Sequence, residues 1–153
     1  MATFPSSRTP QMSNTKPPGD QAIVEEYFLF SEPEIFAYAL YLKFGGCIGT
    51  ISNSHNSKTR VCHAFVTKAK EISQYMVVFD ASGKRTLKSV LDMYSRKDHV
   101  VVTSMLDDPD RVLSHWWMQG KSSEHLMRTA QLYIDNNLSK FENLLNDKGV
   151  GDV

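Results

Sequence analysis

Only two cysteines, Cys47 and Cys62, occur in this 153-residue chain. They are too few for a disulfide framework, and their spacing lacks the close pairing of a redox or zinc motif. Two free and mostly buried thiols in a reducing, intracellular setting are expected. Long hydrophobic runs are missing as well. The most apolar stretch, Ile35 to Phe44, stops at Gly45 and Gly46, short of the roughly 18 to 20 residues that a membrane-spanning helix needs. No membrane partner is expected. The first 20 residues contain no apolar block that could serve as a signal-peptide core, so a cytoplasmic or nuclear location is expected. Net charge is also absent, with 17 basic and 17 acidic residues, so total charge selects no partner.

What the chain does have is 41% hydrophobic and 10% aromatic residues, enough for the core of one ordinary domain. Its charge is segregated. Between Lys58 and Lys97 nine basic residues face three acidic ones, a local charge of +6. Four of the six prolines fall in residues 1–19 with many Ser and Thr and few apolar side chains, which predicts a flexible N-terminal arm. A single globular domain over 20–148 and a tail over 149–153 complete the expected organisation.

Ile23, Val24, Tyr27, Phe28, Leu29 and Phe30 form an apolar segment that suits a helix or a buried strand. Ser31 and Glu34 have capping-box spacing with Pro33 in the first turn, which predicts a helix running to Phe44 and closed by Gly45 and Gly46. A short strand is expected at Cys47–Ser52 and a polar loop at 53–57. Val61, Phe65, Ala69, Ile72, Met76 and Phe79 recur at spacings of three and four, which predicts a helix of about five turns ending near Ser82 and Gly83. The competing reading places a strand at Tyr75–Phe79. Residues 86–95 read as an amphipathic helix, and His99–Ser104 as a strand. A helix from Asp107 or Asp108 reaches Trp116 and Trp117, and a long last helix runs from Ser122 or Ser123 towards Gly149. The fold expected is mainly α, a compact helical domain of about five helices with at most a small β element. The alternative is an α/β layer with strands near 47–52, 75–79 and 99–104 separated by helices.

No complete catalytic or metal motif is present. Asp80-Ala81-Ser82-Gly83-Lys84 resembles a phosphate loop only superficially, because Val78 and Arg85 stand where a Walker loop requires glycine and Ser or Thr. A turn ending a helix is the plainer reading. Cys47, His55, Cys62 and His63 match no zinc spacing, and two core cysteines with two surface histidines are expected instead. Cys62 with His99, His115 or His125 satisfies the bare requirement for a Cys/His hydrolase, without a nucleophile elbow to mark it. The sequon Asn137-Leu138-Ser139 falls inside a predicted helix and reads as chance. No cofactor is expected.

The sequence therefore points to a non-enzymatic binding protein. Arg60, Lys68, Lys70, Lys84, Arg85 and Lys88 are the candidate nucleic-acid-binding residues, because cationic side chains on one surface gain affinity for RNA by releasing its counterions. The alternative is a protein-interaction or assembly subunit, oligomeric and of viral structural or accessory type by analogy of architecture. It would use the last helix and Trp116 or Trp117 as an aromatic anchor. A small intracellular enzyme is the third reading.

Overall fold

The computed structural model describes residues 21–96, 99–112, 123–142 and 144. In chain order these form α1 (Gln21–Phe30), α2 (Pro33–Phe44), β1 (Cys47–His55), β2 (Lys58–Thr67), β3 (Val77–Asp80), β4 (Gly83–Thr86), α3 (Leu87–Tyr94), β5 (Val100–Met105) and α4 (Ser123–Asn136), followed by a 3-10 turn at Leu138–Lys140. The strands make one antiparallel sheet in the order β4-β3-β2-β1-β5. This overturns the expected mainly α domain of about five helices, since the described residues are 30% strand and 45% helix, with four helices.

The difference is largest at residues 59–80, where the predicted five-turn helix is replaced by β2, a loop and β3. Both faces of the sheet are covered there, so successive residues from His63 to Thr67 are all buried and the alternation that betrays a strand is erased. Pairing across the chain decides the outcome. β2 lies against β1 from Cys47↔Thr67 to His55↔Lys58 and closes on a two-residue turn, Asn56–Ser57, with φ of 53° and 66°. Left-handed geometry at both turn positions matches the natural twist of paired strands. The expected polar loop at 53–57 is thus mostly strand. The alternative strands near 47–52, 75–79 and 99–104 overlap β1, β3 and β5, but the helix placed between the first two is β2.

Helix boundaries follow local chemistry more closely. Helix α2 begins at Pro33, with Glu32 and not Ser31 at its N-cap and no side-chain capping bond. Its far end is closed by Gly45 at φ 78°, whose N–H donates to the Tyr41 carbonyl. The Thr86 hydroxyl caps α3 by accepting from the Ser89 N–H. Helix α4 stops at Asn136, earlier than the expected end near Gly149, and Leu138 is exposed. The Asn137 side chain there donates to the Tyr133 carbonyl and to Gln21 Oε1, which competes with continuation of the helix. The expected helix into Trp116 and Trp117 lies mostly outside the described residues.

Two layers cover the sheet. Helices α1, α2 and α4 place Phe28, Phe36 and Ile134 against Ile48, Ala64, Val66, Val77 and Phe79. On the opposite face α3 lays Leu87 and Val90 over Ile51, Phe65, Met76 and Val78. Each fully buried side chain of this size contributes about 1.5–3 kcal/mol. Gly49 is demanded by packing, because a Cβ at that position would collide with the Phe65 ring. A polar clasp joins the helical layer to the β3–β4 turn: Lys140 Nζ donates to Glu25 (2.7 Å), the Ala81 carbonyl (3.1 Å) and the Tyr133 hydroxyl (2.6 Å).

Candidate functional site

Strand β3 is only four residues long, and its pairing with β2 is at Val66↔Phe79. The first half of β2 therefore extends beyond β3 and presents an edge that no other strand among the described residues covers. Cys62 sits at a bulge in this stretch, because the register with β1 passes from Ile51↔His63 to Ser52↔Val61. Bulges of this kind accentuate twist and turn an edge away from its neighbour. Along the open edge runs a groove of about 940 Å³. One wall is the α1–α2 corner, Phe30 to Glu34, and the other contains Tyr94 and His99.

Strand alternation distributes the side chains of the edge between the two walls. Thr59 and Val61 share the side of the sheet that α1 and α2 cover. Lys58 and Arg60 take the other side, opposite His55 and Asn53 of β1. His99, just before β5, reaches the same place: its Nδ1 lies 2.6 Å from Asn53 Oδ1, and its ring stacks on His55 at 4.4 Å and 19°. One end of the β1–β2 hairpin thus gathers two imidazoles, Lys58 and Arg60. Phe30 at 58% and Val61 at 42% exposure make the opposite wall apolar, with Glu32 and Glu34 beside them.

Beneath the Tyr94 side of the groove, on the face covered by α3, lies a buried polar network. His63 Nε2 is 2.9 Å from Asp80 Oδ2, Arg85 Nη1 donates to the same oxygen at 3.2 Å, and the Ser82 N–H and hydroxyl both donate to Oδ1. Burial alone would raise the Asp80 carboxyl. Hydrogen bonds from His63 and Ser82 and the charges of His63 and Arg85 override it and hold the carboxyl below its ordinary value. His63, expected on the surface, is 1% exposed, and its Nδ1 is the one buried side-chain polar atom without a partner among the described residues. The Tyr94 ring covers it at 5.6 Å. Burial, assisted by the Cys62 and Asp80 charges, pushes the Tyr94 hydroxyl up to about 12.

The candidate nucleic-acid residues do not converge. Arg60 lines the groove, whereas Lys68 lies at the far end of β2, about 25 Å away at strand rise. There Lys68 Nζ donates to the Phe44 carbonyl at the end of α2. Lys70 is exposed in the β2–β3 loop. Lys84 and Arg85 are successive residues of β4 and point to opposite faces. Arg85 is committed to Asp80, and Lys88 pairs with Asp92 at 3.0 Å. Trp116 and Trp117, the candidate protein interface, lie outside the described residues.

The other motifs resolve as follows. Asp80 to Lys84 is a tight turn between β3 and β4, with Gly83 at φ 101°, and not the end of a helix. Cys47 and His55 occupy opposite ends of β1, and no three metal-ligating side chains assemble among the described residues. Cys47 is exposed and Cys62 half-buried, contrary to the expected buried pair. The Cys62 thiol donates to the Ile51 carbonyl, and burial pushes it up, which opposes formation of the nucleophilic thiolate. No described helix is long and apolar enough to cross a membrane.

Sequence reasoning missed Lys58, Asn53, Tyr94, Phe30 and Val61 as groove residues. Lys58 was visible in the basic count. The others meet only through the β1–β5 pairing and the α1–α2 corner, which leave no local signal. Compared with known protein families, curated proteins and solved structures, the chain matches none.

Proposed function

We propose that this is a non-enzymatic binding protein whose site is the groove beside the first half of β2, and that its occupant is a protein segment. The observation that carries this reading is the groove's two unlike walls. Lys58, Arg60 and the imidazoles line one, while Phe30 and Val61 line the other with Glu32 and Glu34 beside them. A uniformly anionic polymer would leave the exposed Phe30 and Val61 side chains without an apolar partner, whereas a polypeptide can present apolar and charged groups in turn. The test is selection of ten-residue peptides from a random library on the full chain, with Arg60→Glu as counter-screen. Enrichment of peptides that lose binding to Arg60→Glu by about tenfold or more is expected. A library that yields none, or binders indifferent to Arg60, overturns the reading.

A second reading is favoured by one observation. His55, His99, Lys58 and Arg60 share a side of the hairpin, and such a cluster suits phosphate. RNA bound there would lose affinity log-linearly with salt, and labelled single-stranded RNA in fluorescence anisotropy separates it from the first.

A further inference from the structure

Resting on the groove as the binding site, we infer that β2 takes up an extended peptide as an added strand along residues 58–61, and that this peptide alternates apolar and acidic residues. The open edge supplies the first half of the argument. In a hairpin with a two-residue turn, the flanking residues form the hydrogen-bonded pair, here His55 and Lys58, and the pattern alternates from there. Lys58 and Arg60 accordingly direct their backbone groups to β1. Thr59 and Val61 direct theirs outward, and no described strand pairs with them there. The close approach of Ser54 Oγ and Thr59 Oγ1, 2.6 Å, agrees with this assignment, since side chains stand closer in the non-hydrogen-bonded pairs.

Charge and polarity supply the second half. A strand added at this edge presents successive side chains to opposite walls. One set meets Phe30 and Val61, both exposed, and the other meets Lys58, Arg60 and His99. Apolar side chains complement the first wall and carboxylates the second, while the backbone bonds to Thr59 and Val61 are independent of sequence. The cationic side chains and the bulge at Cys62 are also features that protect an exposed edge against indiscriminate pairing.

The probe is a capped ten-residue peptide of alternating valine and glutamate, titrated calorimetrically into the full chain. Binding is expected, at least about tenfold tighter than to a peptide with five valines followed by five glutamates, because only alternation matches both walls. In an extended strand the N–H groups of alternate residues face the same side. N-methylation of one set, all valines or all glutamates, should therefore abolish binding while methylation of the other leaves it within about twofold. Amide exchange at Thr59 and Val61 should slow in the complex. If neither methylation matters and Arg60→Glu still weakens binding, the groove holds a peptide but strand addition is wrong. If the peptides do not bind and Arg60→Glu changes nothing, both this inference and the groove reading fall. If single-stranded RNA binds the groove and the peptides do not, the occupant is a polyanion and the inference is overturned. Arg60→Gln, with an unchanged circular dichroism spectrum, serves as the milder variant.

Discussion

Asp80 is 2% exposed and answers three side chains at once. Replacing it with Asn removes the charge that Arg85 and His63 share, and a buried cation left without its carboxylate is costly. The expected loss for Asp80→Asn is about 2–4 kcal/mol in chemical denaturation. The pH dependence has a definite sign. The folded carboxyl titrates below its ordinary value of 3.8, so its contribution is fully present above that pH and is lost as pH falls through the depressed folded value. Wild type and Asp80→Asn should therefore converge in stability as the pH drops below about 4. A difference that stays constant down to pH 2 would remove Asp80 from this role. None of the network was legible from residue types: His63 and Asp80 are 17 positions apart and read alone as a surface histidine and a turn residue.

At the scale of elements, the β1–β2 hairpin organises both the sheet and the groove. Its turn carries Ser57 at φ 66°, a region where an L-residue with a Cβ is strained by roughly 1 kcal/mol. Ser57→Gly relieves that strain, and a gain of about 0.5–1 kcal/mol is expected by urea titration. A loss instead would show that the turn differs from this geometry. Legibility at this scale tracked how local the determinant is. The α2 end at Gly45, helix α3 over 87–94 and the β5 region were readable because glycine conformation, an amphipathic helical period and a run of valines act within a few residues. β2 was not, because its burial on both faces and its apolar spacing imitate a helical stripe.

At the scale of the whole molecule, the sheet separates two apolar layers. Ile134 belongs to the α1, α2 and α4 side, Val90 to the α3 side. Ile134→Val and Val90→Ala should each destabilise, by about 0.5–1.5 and about 2 kcal/mol. The double variant should sum them within about 0.5 kcal/mol, since the two side chains belong to separate buried clusters. Strong coupling would mean that the layers act as one core.

The sequence by itself determined composition, the low cysteine count, the lack of an apolar run of membrane length, and the helix ends where glycine, proline and threonine act on their own backbone. Tertiary structure alone decided that residues 58–67 are a strand, that Lys68, Arg85 and Lys88 are tied to Phe44, Asp80 and Asp92, and that Lys58, Arg60 and His99 share a wall. The reason is range. Backbone conformation and capping are settled by neighbours in the chain, whereas strand pairing and charge neutralisation depend on partners brought close only when two distant segments lie in register.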